Sequence, residues 1–410
     1  MTKDDLFGLD RERRILESGI RSIFTPHQPI HSESLFFGRE EQVQKLMEHI
    51  NTPGQHALLY GDRGVGKSSL ANVTARLLLK HLVQGELYTK RCDSSTTFEM
   101  LVMEPLKHAG VDVTLVQRSE PHKQGGKAGV KAVFAEGAVA SEHETSRVYK
   151  VVTHDLAPAF VAETLRAAKG LLMIDEADAI PRVGDKKKLA ELIKLLSDNG
   201  STFKLLVVGI ADTANDLTGG HPSVQRCLKE TKLGRMPDRE LAQIVEGGAA
   251  KARLEFDPSA VTAIVHLSSG YPHFTHLLAL KCAEEAIASE RTKITKNDLG
   301  SAIALAVQDA ESSLRRMYDD AVRSYGTDLY KHIMLAAARI EGTEFTAEQL
   351  REAIQGVTGQ YINQQALNNY LQRLVSDGPK TILRRVAKGV YRFNDPRMQS
   401  FIKLACGELT

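Results

Sequence analysis

Eight consecutive residues near the start of the chain have the types and the spacing of a phosphate-binding loop. They read Gly61-Asp62-Arg63-Gly64-Val65-Gly66-Lys67-Ser68, after an apolar run at 57–60 and before a helical pattern that begins near Ser69. Glycines let backbone N–H groups turn inward, and a helix N-terminus adds partial positive charge. In this pattern Lys67 is expected at the β- and γ-phosphates and Ser68 at Mg²⁺. A chance glycine loop is the alternative, but the flanking patterns favour a site for ATP and Mg²⁺ built from residues 61–69.

A second group with catalytic chemistry follows another apolar run. Leu171-Leu172-Met173-Ile174 is typical of a buried parallel strand, and Asp175-Glu176 comes directly after it. Next to a phosphate-binding loop, Asp175 is expected to hold the Mg²⁺ shell, and Glu176 to orient or deprotonate the attacking water. Solvated surface acids are the alternative, which the preceding loop makes weak.

A third predicted strand, at 203–210, also ends in polar residues. Asp212, Thr213 and Asn215 are all candidates for a contact to the γ-phosphate, and the sequence does not choose among them. A further strand is predicted at 86–92, and Thr231–Met236 is the candidate for the fifth strand. Because these strands alternate with helical patterns, they predict a five-stranded parallel α/β sheet with its ligand at the carboxyl ends of the strands.

Composition sets the outer limits. The chain has 410 residues, 42% of them hydrophobic and 25% charged, and a formal net charge of +2. Two or three globular domains fit this length, and any nucleic-acid contact has to come from local basic patches. The four cysteines lack metal-site spacing, and no apolar stretch reaches membrane-spanning length, so a cytoplasmic protein without a membrane partner is expected.

The pattern of breaks predicts four segments. Residues 1–36 form an N-terminal helix and linker, and 37–236 form the α/β nucleotide-binding domain. Within that domain, a glycine-rich insertion at about 118–152 contains two candidate hairpin strands, 130–134 and 148–152. Helix signals predict a lid of about four helices at 237–323. Residues 324–410 are expected to form the last domain.

The last domain has the pattern of a winged helix-turn-helix: three helices, then two short strands around Ala387-Lys388-Gly389. Its third helix presents Gln365, Asn368 and Arg373 outward, side chains that can pair with base edges. The hairpin adds cations suited to phosphates, namely Arg384, Arg385 and Lys388. Duplex DNA is therefore the favoured partner, with docking of a protein as the alternative.

Taken in order, the loop at 61–68, the acids 175–176, the polar strand end at 212–215, the helical lid and the winged helix resemble the AAA+ ATPases. Among them, the chain is similar to the origin-recognition initiators and to the STAND and archaeal-type ATPases. The resemblance implies a homo-oligomer in which a neighbour's arginine reaches the γ-phosphate. Arg226 is the first match and Arg235 the second, and an ordinary surface ion pair is an equal alternative for Arg226.

One turn departs from the initiator pattern. Initiators place a lid arginine over the phosphates, whereas this chain has Ser269-Gly270-Tyr271-Pro272-His273 in that position, which looks like the STAND pattern. His273 could take the place of the arginine, but histidine is only partly charged at neutral pH. Slow turnover and a switch-like role are therefore expected.

Two functions remain open on these grounds. The first is an ATPase that binds and hydrolyses ATP at subunit interfaces and thereby controls assembly on DNA, where it loads or recruits a client protein. The second is a STAND-type signalling or defence switch in which ATP/ADP exchange drives oligomerisation and the winged helix binds an effector protein. A helicase is disfavoured because the sequence shows no second phosphate-binding loop.

Overall fold

The structure is a computed structural model of the 410-residue chain. It describes residues 8–81, 85–115, 149–153, 156–211, 213, 215–218, 224–323, 328–375 and 381–407, without the side chains at 114–115 and 149–153. The residues group into two compact units. The sheet unit is Glu40–Gly61 and Lys67–Leu233, and the helical unit is Met1–Arg39, Asp62–Gly66 and Gly234–Thr410.

The elements of the described residues are numbered along the chain. The α-helices are α1 (Leu9–Ser18), α2 (Ile20–Ile23), α3 (Glu40–Asn51), α4 (Lys67–His81), α5 (Phe98–His108), α6 (Pro158–Thr164), α7 (Val183–Asp198), α8 (Asn215–Thr218), α9 (Asp238–Ala252), α10 (Pro258–Ser268), α11 (Pro272–Ala288), α12 (Leu299–Asp309), α13 (Ser312–Val322), α14 (Leu329–Arg339), α15 (Ala347–Thr358), α16 (Gln364–Leu374) and α17 (Met398–Ala405). The strands are β1 (His56–Gly61), β2 (Glu86–Arg91), β3 (Val111–Leu115), β4 (Tyr149–Thr153), β5 (Gly170–Asp175), β6 (Lys204–Ile210), β7 (Leu228–Lys232), β8 (Glu255–Phe256), β9 (Lys293–Ile294), β10 (Phe345–Thr346), β11 (Leu383–Ala387) and β12 (Val390–Phe393).

The sheet unit contains the predicted five-stranded parallel sheet, in the order β2-β5-β6-β1-β7. Its inner strands are continuous apolar runs because helices cover both faces of a parallel sheet. Leu58, Leu172 and Val207 of the inner strands pack with Val102 of α5 and Ile193 of α7 in one buried core. The fold class predicted from sequence is thus confirmed for the α/β part.

Two strand predictions need correction. The fifth strand is Leu228–Lys232, three residues earlier than predicted, because its register pairs Leu228 with His56 and Lys232 with Tyr60. Leu233 makes one more bond, from its N–H to the Tyr60 carbonyl oxygen (2.7 Å), where the sheet unit ends. Strand β4 lies where the second hairpin strand was expected, but it pairs with β3 in parallel, and residues 130–134 lie outside the described residues.

The helical unit is held together around α11. The N-terminal helices α1 and α2 both contact α11, and Arg21 of α2 pairs with the nearly buried Glu284 at 2.6 Å. Residues 238–322 contain five α-helices, one more than expected. Their boundaries follow the predicted signals, since α10 starts at Pro258 after Asp257, and Thr295 and Asp298 form a capping box before α12.

The C-terminal part of the helical unit runs in the order α14-β10-α15-α16-β11-β12-α17. Its three short strands form an antiparallel sheet in the order β10-β12-β11. The helix α17 has no counterpart in the sequence-based prediction, and it contacts α10, α12, α13 and α14. Across the described ranges, no helix combines the length and the apolar character that crossing a bilayer requires.

Candidate nucleotide-binding site

The predicted phosphate-binding loop connects the end of β1 to the start of α4. Gly61 has φ +148°, and a Cβ there would lie 2.2 Å from the Leu233 carbonyl oxygen, so no other residue fits. Gly64 and Gly66 have φ values of +83° and +93°, which side chains rarely adopt. The three glycines let the backbone curl in the way a phosphate cradle requires.

Lys67 is the first residue of α4, and its side chain folds back along the loop. The residue is only 8% exposed, and its Nζ donates to the Gly61 carbonyl oxygen at 3.0 Å. The ammonium group is thereby held at the base of the loop, at the N-terminus of α4, where the helix dipole carries partial positive charge and the first turn includes Ser68 and Ser69. Cation and helix terminus together favour an anion at this point.

The acids stand at the end of β5. In the parallel sheet β5 and β1 flank β6, so their carboxyl ends share one edge, and Asp175 therefore lies on the same edge as Gly61. Asp175 Oδ1 accepts the N–H of Glu176 at 2.9 Å. The Ser68 hydroxyl and the Asp175 carboxylate are hard oxygen donors, which suit Mg²⁺.

The described residues contain no group of three or more acidic, His or Cys side chains close enough to hold a metal. This fits the usual Mg²⁺ site of nucleotide-binding proteins, in which one or two protein oxygens are completed by phosphates and water. Ser68 and Asp175 would hold the ion, and the ion would neutralise charge that develops on the phosphates.

Glu176 is engaged by an arginine that the sequence-based prediction missed. Arg91, the last residue of β2, donates from Nε to Glu176 Oε2 (2.9 Å) and from Nη2 to Oε1 (2.7 Å). Glu176 itself has φ +55°, an uncommon conformation for a residue other than glycine, asparagine or aspartate. The hydrogen bonds that Arg91 donates to Glu176 raise the pKa of Arg91. The sequence carries no local signal for this pair, because the pair forms only where β2 lies next to β5 and Arg91 stands in register with Asp175.

The polar end of β6 is only partly described. Asp212 lies outside the described residues. Thr213 donates from Oγ1 to Asp216 Oδ2 at 2.9 Å, and Asn215 is the first residue of the short helix α8. These contacts place Thr213 at a helix start and leave its predicted γ-phosphate contact untested.

The two candidate arginines for action on a neighbouring subunit differ in environment. Arg226 is exposed and pairs with Asp198 through Nη2 at 2.5 Å. Arg235 is engaged within the helical unit, where Nε donates to the Tyr271 hydroxyl at 3.1 Å and the guanidinium lies 5.0 Å from the centre of the Tyr271 ring. Arg226 is therefore the more exposed of the two candidates. Its action on a neighbouring subunit stays a prediction, with the surface ion pair to Asp198 as the alternative.

His273 is half-buried within the helical unit. Because the Pro26 carbonyl oxygen can only accept, the 2.7 Å contact to Nδ1 places a proton on that nitrogen. Burial lowers the pKa of His273 below its ordinary value of 6.5. The ring is therefore neutral near pH 7 and brings no positive charge of the kind that a lid arginine would bring.

The residues predicted to contact DNA fall into two groups. Gln365, Asn368, Arg385 and Lys388 are exposed, and Arg384 is half-buried. Arg373 is instead tied to its own unit: it donates to the carbonyl oxygens of Asp320 and Arg323, and its guanidinium lies 4.5 Å from the centre of the Tyr330 ring.

A strand, a glycine loop with a buried lysine, a helix, and an acid pair on the same edge of a five-stranded parallel sheet define a P-loop NTPase. The comparison with family models agrees with this class. The model of the novel STAND NTPase 1 family matches residues 26–375, so the chain belongs to that family. No curated protein matches the chain.

Several solved structures are similar to the chain. The ORC2 protein of Aeropyrum pernix, solved in ADPNP and ADP complexes, is 14% identical with a TM-score of 0.50, and the match covers 94% of this chain and 96% of that one. A Walker-type ATPase of Pyrococcus abyssi is 18% identical with a TM-score of 0.49, covering 93% and 99%. The Thermotoga maritima RuvB Holliday junction branch migration motor is 14% identical, covering 86% and 93%, with a TM-score of 0.42.

Proposed function

We propose that the protein is a slow ATPase in which ATP, bound with Mg²⁺ at the interfaces of a homo-oligomer, controls assembly on duplex DNA and recruitment of a client protein. The observation that supports it best is the pairing of a complete phosphate-binding loop, with Lys67 held at its base, and Asp175-Glu176 on the same sheet edge. ATP can shift assembly only through its higher affinity for the assembled state.

Two features support slow turnover. Glu176 is engaged by Arg91 in two charge-assisted hydrogen bonds, which make a carboxylate a weaker base. The turn at 269–273 provides a neutral histidine where the initiators carry an arginine. A nucleotide that is hydrolysed slowly holds one state for a long time, as a switch requires.

The DNA part of the proposal concerns residues 324–410, which we propose to be a winged helix-turn-helix domain after a lid at 237–323 and a nucleotide-binding domain at 37–236. The order of helices and the antiparallel sheet β10-β12-β11 fit such a domain. The exposed amides Gln365 and Asn368 suit base edges, and the exposed cations Arg385 and Lys388 suit phosphates.

The experiment is a mass measurement by light scattering with ATP, with ADP and without nucleotide, each with and without a DNA duplex. The proposal expects a mass increase with ATP that the duplex enlarges and that higher salt weakens. The double variant Arg385→Gln, Lys388→Gln is expected to lose the DNA effect and keep the ATP effect. A mass that is equal in all states would refute the assembly model.

Arg226→Ala is expected to lower hydrolysis by the assembled protein about 1,000-fold, within the range for an arginine supplied in trans, and to leave ATP affinity of the isolated subunit unchanged. The assay mixes Arg226→Ala with a Glu176→Gln variant and measures phosphate release. Restored activity in the mixture indicates action across the interface. If Arg226 forms only its surface pair with Asp198, the variant keeps wild-type turnover, which would exclude the trans role.

Arg91→Ala is expected to raise the basal turnover number about tenfold, because Glu176 loses the two hydrogen bonds that weaken it as a base. Affinity for ATP should stay constant, since Arg91 is assigned no phosphate contact. Steady-state phosphate release and equilibrium binding of a fluorescent ATP analogue separate the two quantities. A lower turnover number would show instead that Arg91 orients Glu176 for the reaction.

The second candidate function is a STAND-type switch whose C-terminal domain binds an effector protein. Membership of the novel STAND NTPase 1 family favours it. In the light-scattering experiment this function predicts a mass increase only when the effector is added with ATP, and no influence of the duplex.

A further inference from the structure

The tip of the phosphate-binding loop, Asp62–Gly66, packs against residues from the C-terminal part of the helical unit. A Cβ placed on Gly64 would lie 2.7 Å from Cδ and 3.0 Å from Cγ of Arg397. Both residues belong to the helical unit. The aliphatic stem of Arg397 therefore lies directly against the loop backbone, where even one methyl group would not fit.

Arg397 cannot easily move aside, because its guanidinium is held from two directions. It donates to Asp395 from Nε (3.0 Å) and Nη2 (2.8 Å), and to Glu311 from Nη1 (2.6 Å) and Nη2 (3.0 Å). The residue is 3% exposed. A buried, forked arginine with two carboxylate partners is a rigid group, since moving it would break several charge-assisted hydrogen bonds at once.

Glu311 also contacts the loop directly. Its Oε2 lies 3.7 Å from Nη2 of Arg63, the loop residue before Gly64. The hydrogen bonds from Arg397 lower the pKa of Glu311 to about 2. The ordinary pKa of a glutamate is 4.5, so the ion pair is fully present above pH 4.5 and is lost only as the pH falls toward 2. Glu311 is therefore ionised throughout the neutral range.

Arg397 is in turn fixed to the C-terminal helix, since it stands directly before α17. The residues of α17 are buried except for Ala405, and Ser400 Oγ donates to the Ser268 carbonyl oxygen at 2.8 Å. Gln399 Nε2 donates to the carbonyl oxygens of Ala338 (2.9 Å) and Ile340 (2.7 Å). Displacement of α17 would therefore withdraw Arg397 from Gly64.

We propose that Arg397 and Glu311 form a clasp that positions the tip of the phosphate-binding loop and slows nucleotide release for as long as α17 is docked. The two residues act through the loop backbone, so they are positioning residues. The proposal rests on the proposed role of residues 61–69 as the nucleotide site. A loop that is already held in position loses less conformational freedom when a ligand binds, so it binds the nucleotide more tightly. Nucleotide exchange would therefore depend on the docking of α17.

The test is stopped-flow release of a fluorescent ADP analogue from the full chain. Arg397→Ala is expected to accelerate release about tenfold, and Glu311→Gln, which keeps the side-chain shape, by a smaller factor. The double variant should release no faster than Arg397→Ala, since the two residues act as one device. Arg397→Lys should be intermediate because lysine keeps the charge and loses the fork. Arg21→Ala, which removes an arginine paired with Glu284 in the same unit, is the matched control.

Melting curves without nucleotide accompany each variant, so that release is compared among folded proteins. Release rates of the clasp variants within twofold of wild type, or an equal acceleration in Arg21→Ala, would overturn the clasp. The clasp would also be overturned if the acceleration of release in the double variant equalled the product of the accelerations in the two single variants. If Arg397→Ala does not fold, Glu311→Gln alone decides, with unchanged release counting against the clasp. Wild-type protein that binds no nucleotide would refute the proposed nucleotide site itself, a result distinct from unchanged release rates.

Discussion

Replacing Lys67 by alanine is expected to weaken ATP binding about 100-fold. The substitution removes the buried ammonium group that Gly61 holds at the base of the loop, and a hydrogen bond to a charged group contributes up to about 3 kcal/mol. The phosphates would lose their closest cation, while the glycine backbone that curls around them would stay intact. Equilibrium titration with a fluorescent ATP analogue in the presence of Mg²⁺ measures the change.

The matched control for this prediction is Lys80→Ala. Lys80 lies in the last turn of the same helix α4, so both variants lose one lysine from one helix. The control should bind ATP like the wild type. Equal affinities for the wild type, Lys67→Ala and Lys80→Ala would contradict the assignment of Lys67 to the phosphates.

Glu176→Gln has the other large expected effect, on turnover and not on affinity. The amide keeps the shape of the side chain but cannot accept a proton from water, and general-base catalysis typically contributes about 10²–10⁴-fold. Phosphate release should therefore fall by at least about 100-fold while ATP binding is retained. A single-turnover assay with radiolabelled ATP measures both on one sample.

Glu163→Gln serves as the control for Glu176→Gln. Glu163 is an exposed carboxylate on α6 of the same sheet unit, paired with Arg166 at 3.7 Å. The substitution makes the same chemical change at a residue outside the acid pair, so turnover should equal that of the wild type. If Glu176→Gln hydrolyses ATP at the wild-type rate, Glu176 is not the general base.

The sequence predicted well those parts of the protein whose structure depends on residues adjacent in the chain. The loop at 61–68 needs its glycines for backbone conformation, and the acids 175–176 directly follow a strand that has to be apolar. Helix boundaries such as Asp257-Pro258 and the capping box at Thr295 are local for the same reason. These features are visible in a few consecutive residues.

The parts that sequence did not predict depend on contacts between distant segments. Strand β7 was placed too late because Leu233 and Met236 are apolar like strand residues, although the register with β1 ends at Lys232. Arg91 meets Glu176 only because β2 is the neighbour of β5. Arg397 meets Gly64 through the docking of α17, for which no local pattern exists.

The most direct test of the nucleotide site is a crystal structure of the full chain with Mg²⁺ and a non-hydrolysable ATP analogue. The expected result has the phosphates within hydrogen-bond distance of the backbone N–H groups of residues 64–68 and of Lys67 Nζ, with the ion beside Ser68 and Asp175. A nucleotide bound elsewhere, or an empty loop at a saturating concentration of the analogue, would contradict the central claim that this loop and this acid pair form one site.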